Sequence, residues 1–393
     1  SDGTIVAIGA PYNDGNGSNS GHVRVYSWDG TDWNLLGAEI DGEAAGDYSG
    51  WSVSLSSDGT IVAIGAILND GGGSNSGSVR VYKNISGTWT QLGSDINGEA
   101  AYDYSGIRGS VSLSSDGTIV AIGAPFNDGG GDASGHVRVY DWDGNDWNLL
   151  GAEIDGEAAD DYSGYSVSLS SDGTIVAIGA YENDGTATNA GHVRVYQYSG
   201  GTWTQLGADI DGEGSWAKSG YSVSLSSDGT IVAIGAQFDD GGGDASGHVR
   251  VYEYSGSTWT KIGADIDGEA AGDQSGSSVS LSSDGTIVAI GAILNDGGGS
   301  NSGSVRVYKN ISGTWTQLGS DINGEAANDY SGSSVSLSSD GTTVAIGAFL
   351  NDGGGDASGH VRVYEYVGSS WIQYIDDIDG EGDGDYFGYS VSL

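Results

Sequence analysis

A ten-residue phrase, Ser-Asp-Gly-Thr-Ile-Val-Ala-Ile-Gly-Ala at 57–66, constrains this chain more than any other feature. It recurs almost unchanged, with its Asp at Asp2, Asp58, Asp116, Asp172, Asp228, Asp284 and Asp340. The interval is 56 residues each time but one, where it is 58. Self-similarity at such a period marks solenoids, propellers or arrays. It overrides the prior of two or three domains that 393 residues would carry. The expectation is one domain over 1–393, built from seven repeats of about 56 residues.

One copy, 52–106, gives the content of a repeat. Ser52-Val53-Ser54-Leu55 alternates polar with apolar and reads as a short strand. Asp58-Gly59 between two strand-like runs is a hairpin signal, because Gly accepts positive φ. The β-branched run 60–66 reads as a strand buried on both faces. Its Gly65 and Ala66 are small enough for a neighbouring backbone to come close. A polar, Gly-rich loop spans 69–77. Val79-Arg80-Val81-Tyr82 is a third strand, Trp89-Thr90-Gln91-Leu92 a fourth, and 95–106 an acidic loop.

Four antiparallel strands repeated seven times, with no helical periodicity, predict an all-β, seven-bladed β-propeller. The chain starts just before a second strand and ends on a first strand. The C-terminal strand (390–393) is therefore expected to pair beside 4–10 and close the ring, which removes an exposed sheet edge. Trp33, Trp89, Trp147, Trp203, Trp259, Trp315 and Trp371 repeat with the blade and read as inter-blade packing. Trp28, Trp51, Trp142 and Trp216 do not repeat, which makes them the better candidates for surface contact.

Composition narrows the function. The net charge is −42, and 12 basic residues face 54 acidic ones. Nucleic-acid binding needs basic patches to displace counterions, and anionic membranes repel such a surface. Cations are the natural counter-partners, and the charge also keeps the chain soluble. There is no Cys, so disulfides and thiolate-zinc sites are excluded. There is no Met either, and the chain opens inside a repeat, which reads as a piece of a longer product or assembly. No stretch reaches the length of an apolar membrane span.

These residues carry a resemblance. Phe387-Gly388 stands before the last Ser-Val-Ser-Leu strand, Gly9-Ala10-Pro11 and Gly123-Ala124-Pro125 supply a Gly-Ala-Pro, and Gly21-His22-Val23-Arg24-Val25-Tyr26 matches a Gly-x-Val-x-Val-Tyr strand. The chain resembles FG-GAP propellers, the type found in the integrin α-subunit head and in many secreted microbial proteins. The resemblance runs through all seven repeats, although most copies carry Ser-Gly in place of Phe-Gly. It implies an extracellular propeller used in adhesion or ligand binding, often with calcium. The family's Asp-x-Asp-x-Asp-Gly calcium loop between the first two strands is absent here, so that site does not carry over.

The carboxylates go elsewhere. In an up-and-down blade the loops joining strands two and three, and strands four and one, share a face. Both acidic loops of the repeat therefore lie on one side of the ring. Within the second of them Asp41, Glu43 and Asp47 recur as Asp155, Glu157, Asp161; Asp267, Glu269, Asp273; and Asp379, Glu381, Asp385. Two copies begin with Asn instead, as Asn97, Glu99, Asp103 and Asn323, Glu325, Asp329. One copy keeps only Asp211 and Glu213. Oxygen-rich loops with Gly at a sharp turn suit Ca²⁺, and these residues are the candidate metal ligands.

Catalytic constellations are not legible. All five His residues sit in Gly-His-Val-Arg-Val-Tyr, and Ser78 and Ser304 replace them in two copies. They read as strand residues, with neither a Ser-His-Asp arrangement nor metal-ligand spacing. Paired carboxylates are abundant, but none is unique, so the chain is expected not to be an enzyme. Asn16, Asn84 and Asn310 open glycosylation sequons. Two functions follow. One is an extracellular recognition module whose acidic face binds Ca²⁺ and a glycan or extracellular protein. The other is a non-catalytic structural repeat of a surface layer, a fibre or a larger secreted or surface protein, which the near-identity of 67–100 and 293–326 favours. Two local departures, Ile107-Arg108 and 214–218, are where an asymmetric ligand would sit.

Overall fold

The repeated Ile-Val-Ala-Ile-Gly-Ala run needs apolar cover on both faces, and the fold supplies it. A computed structural model describes residues 1–374 and 376–393. All six residues of Ile61–Ala66 are buried in it. This strand pairs antiparallel with Ser49–Leu55 toward the ring axis and with Ser78–Ile85 away from it, and Thr88–Gln91 forms the rim. Seven such sheets make the ring. We number them from the one containing Ile5–Ala10, so the sheet just described is blade 2.

The ring closes through its ends. Ser390–Ser392 pairs with Ile5–Ala10, matching Ala7 with Ser392 and Gly9 with Ser390, and becomes the inner strand of blade 1. Helices are absent among the described residues.

Part of each acidic loop is a strand rather than a loop. Ile96–Asn97 pairs with the start of the third strand, at Val79 and Ser78. The cause is the Ile of the Asp-Ile-Asp motif. Ile96 is buried in the inter-blade core and draws the backbone against its neighbour.

The core lies between blades. One cluster joins Ile61, Val79 and Val81 of blade 2 to Val111, Val120 and Trp147 of blade 3. Polar residues of the repeat serve the same seam. The indole N–H of Trp147 donates to the Leu92 carbonyl at 2.9 Å, and that of Trp203 to Leu150 at 2.8 Å. Around the axis, the second Ser of each Ser-Val-Ser-Leu accepts from the Leu N–H of the next blade, as Ser54 does from Leu113 at 3.0 Å and Ser392 does from Leu55 at 3.0 Å. Each Asp-Gly turn is held by its own Asp. Asp58 Oδ1 accepts from Thr60 N (3.0 Å), Thr60 Oγ1 (2.8 Å) and Ser56 Oγ (2.8 Å).

Candidate functional site

The loops joining strands two and three, and four and one, meet on one face, as in the parallel bridge between Gly77 and Ser105. This is the acidic face. At its centre a cavity of about 180 Å³ opens on the axis. The first residues of the inner strands line it, together with Arg108, Tyr165, Tyr221 and Tyr389.

The recurring carboxylates divide between two tasks. The Glu of each Asp-Gly-Glu faces the strand-three Arg of the next blade: Glu43 with Arg80 (3.7 Å), Glu99 with Arg138 (3.4 Å), Glu157 with Arg194 (3.4 Å) and Glu213 with Arg250 (3.0 Å). Glu269 and Glu325 stand 3.8 and 3.6 Å from Arg306 and Arg362, and Glu381 pairs with Arg24. The Arg24 hydrogen bond holds the Glu381 carboxyl below its usual range.

The last Asp of each set fastens neighbouring blades. Asp161 accepts from Ala158 N at 3.0 Å and from the side-chain amide of Asn183 in the next blade at 2.9 Å. Asp47, Asp103, Asp273, Asp329 and Asp385 do the same with Asn69, Asn127, Asn295, Asn351 and Asn13. The first members, Asp41, Asp155, Asp211, Asp267 and Asp379 with Asn97 and Asn323, sit in the two-residue strand opposite the His or Ser that opens strand three. Burial lifts the carboxyls of Asp41, Asp211 and Asp379.

The blade 4–5 junction explains the copy that lacks its last Asp. Ala217 stands there, and the facing Asn is replaced by Asp239. Freed from that pair, Asp239 turns to His248, with Oδ1 3.0 Å from Nδ1. Nearby, Lys218 Nζ reaches Glu182 Oε1 at 2.5 Å and lies 5.1 Å from the centre of the Tyr181 ring.

The unrepeated Trp51 and Arg108 come together at the axis with aromatic residues from other blades. Two strings of half-buried aromatic rings run outward from the cavity. One passes from Tyr221 to Tyr165 (5.1 Å between centres), Tyr181 (4.4 Å), Tyr162 (5.6 Å) and Phe126 (5.0 Å). The other links Tyr389 to Trp51 (4.7 Å), Trp51 to Tyr12 (6.0 Å) and Tyr12 to Tyr386 (4.5 Å). Arg108 crosses the axis between them. Its guanidinium donates to the Ser333 carbonyl of blade 7 and lies 4.9 Å from the Tyr389 ring centre.

The signal for this site was in the sequence as variation. The residue before each Ser-Val-Ser-Leu reads Trp51, Tyr165, Tyr221, Ser277, Ser333 and Tyr389, with Arg108-Gly109 at the remaining copy. The pair after each Gly-Ala varies in the same way, from Pro11-Tyr12 to Ile67-Leu68 to Tyr181-Glu182. The other tryptophans singled out from the sequence lie away from the axis, and two of them do repeat, since Trp28 and Trp142 occupy one blade position opposite Trp33 and Trp147. Trp28 stacks on Tyr374 at 4.8 Å, Trp142 leans on Trp147 at 5.4 Å, and Trp216 is 57% exposed.

Comparison with known proteins gives a repeat type and a fold. Residues 40–82, 154–196, 261–308 and 323–364 match the FG-GAP repeat. No curated protein matches the chain in sequence. Among solved structures, a candidate 6-phosphogluconolactonase from Bacteroides uniformis is similar at 12% identity and TM-score 0.66, covering 97% of this chain and 98% of its own. The periplasmic gluconolactonase PpgL of Pseudomonas aeruginosa is similar at 16% identity and TM-score 0.61, with 96% of each chain covered. Hydrazine synthase of Kuenenia stuttgartiensis matches at 13% and 0.54, covering 87% of this chain and 89% of its own.

These likenesses overturn the expectation that the chain is not an enzyme. Proteins named as lactonases share its ring, so the architecture does not separate it from catalysts. The expectation rested on the absence of any singular residue set. Arg108 and the tyrosines around the axis are such a set. At these identities the likeness is one of fold, and no residue role transfers.

Proposed function

Because the chain carries FG-GAP repeats on a closed seven-bladed ring, we propose that it is an extracellular recognition module that binds a glycan on its acidic face. The observation that carries this reading is the double string of half-buried aromatic rings around the axial cavity. Flat apolar rings suit the C–H faces of a sugar, and aromatic side chains keep much of their contact energy at little entropic cost. Polar groups for hydroxyls stand beside them, namely the Ser Oγ atoms of the inner strands and the phenol of Tyr165, which donates to Tyr221 Oη at 3.2 Å. With a net charge of −42 the face favours a neutral glycan over an acidic one.

Tryptophan emission tests this directly. Titration with neutral oligosaccharides is expected to change the emission of the wild-type chain, and Trp51→Phe is expected to remove most of that change. An identical response in Trp51→Phe would place the ligand elsewhere.

Ca²⁺ on the loop carboxylates belongs to the same proposal. These carboxylates already hold Arg and N–H partners, so a cation must compete with them, and only modest affinity follows. Millimolar Ca²⁺ is expected to raise the melting temperature and EDTA to reverse the rise. A melting curve indifferent to both would remove calcium from the account.

A further inference from the structure

His136 opens the third strand of blade 3 and is 1% exposed, and neither of its ring nitrogens has a hydrogen-bond partner. A buried imidazole left unpaired is costly. Its Nδ1 points at two carboxylates, 3.8 Å from Glu99 Oε2 and 3.6 Å from Glu153 Oε2. Glu99 comes from the acidic loop of blade 2 and Glu153 from that of blade 3. The three ligand atoms lie within 4.8 Å of one another.

These separations are too long for hydrogen bonds. They fit the edges of a coordination shell, since ligands about 2.1 Å from a tetrahedral zinc stand roughly 3.4 Å apart. The surroundings prepare the site. Arg138 Nη1 holds the other Glu99 oxygen at 3.4 Å and leaves Oε2 turned to the histidine. Burial, then repulsion from Glu99 and Asp155, lifts the Glu153 carboxyl above its usual range. Burial and the Arg138 charge both disfavour the charged imidazolium. Both carboxylates are 42% exposed, which gives an ion a way in and room for water.

We propose that His136, Glu99 and Glu153 bind a divalent first-row metal ion of the Zn²⁺ type. Imidazole with carboxylates selects such an ion over Ca²⁺, which prefers oxygen alone. The arrangement recurs as Glu157, His192, Asp209; Glu325, His360, Asp377; and His22, Glu39, Asp41. His360 likewise has two unpartnered ring nitrogens. Blades 2 and 6 carry Ser78 and Ser304 in its place, and His248 of blade 5 is taken by Asp239. The inference does not depend on the glycan reading.

Co²⁺ is the probe, because it reports coordination through its visible bands. Chelator-treated protein is expected to develop these bands on titration with Co²⁺, to take up four ions per chain as counted from the four clusters among the described residues, and to exchange them for Zn²⁺. His136→Ser reproduces the residue that blades 2 and 6 already tolerate, so it keeps the fold. It is expected to lower the count from four to three, as is Glu153→Gln. Absence of the bands, an unchanged count in both variants, or displacement of Co²⁺ by a tenfold excess of Ca²⁺ would each overturn the proposal.

Discussion

Deleting 390–393 is expected to destabilise the ring by about 3–6 kcal/mol, taking 1.5–3 kcal/mol for each of the buried Val391 and Leu393 side chains. The loss goes beyond these two. Ser390 Oγ donates to the Gly50 carbonyl at 2.8 Å, Leu55 N donates to Ser392 Oγ at 3.0 Å, and Leu393 N donates to Ser336 Oγ at 3.0 Å. Blade 1 would then offer Ile5–Ala10 as a bare, apolar edge, which invites pairing with another chain. Urea unfolding and size-exclusion chromatography check both parts. The truncated chain should unfold earlier and associate with concentration. Unchanged stability and a sharp monomer peak would mean that the terminal strand does not lock the ring.

Gly123→Ala is expected to cost about 3 kcal/mol, the upper end of what overpacking a core costs. A Cβ there would press into the Gly164 carbonyl, with the carbonyl carbon only 2.8 Å away. Both partners are backbone, so neither can turn aside. The same approach of Gly to the next blade's carbonyl occurs at Gly9, Gly65 and Gly179, which is why the Gly-Ala of the repeat is small. Gly144→Ala provides the contrast. Its φ of +97° lies in open space, so only the backbone preference is lost, about 1 kcal/mol. A shift in urea midpoint for Gly123→Ala no larger than that for Gly144→Ala would show that the blades have slack at this seam.

What repeats in this sequence is scaffold, and that part was legible. Trp147, Arg138 and the Ser-Val-Ser-Leu strands each fix one inter-blade contact, the Asp-Gly turns each close one hairpin, and their period alone counts the blades. The site was less legible because it lies where the period fails. Trp51, Tyr181 and Tyr389 are far apart in the chain, and only closure of the ring brings their loops to one axis. Other features show only in three dimensions. The last Asp of the acidic loop, present in six of the seven copies, is held by its neighbours, as Asp161 is by Ala158 N and Asn183. A histidine that recurs looks inert, yet His136 faces two carboxylates with no proton partner.

The scaffold and the site therefore draw on different residues of each repeat. Invariant positions tie each blade to the next at the core and rim. The positions beside Gly-Ala and before Ser-Val-Ser-Leu are free to vary, because they project from the loop face. A closed ring of this kind holds a chosen set of side chains around one cavity without altering its core.

The most direct measurement is binding to an array of neutral glycans, made with the wild-type chain and with Tyr181→Ala and Trp142→Ala in parallel. The predicted result is a defined set of bound glycans, weakened about tenfold or more in Tyr181→Ala, as truncation of a central aromatic anchor weakens other interfaces. Trp142→Ala, whose ring packs on Trp147 in the outer strands, should bind as the wild type does. No bound glycan, or equal binding by the wild type and Tyr181→Ala, would contradict the assignment of the aromatic strings beside the axial cavity as the recognition site.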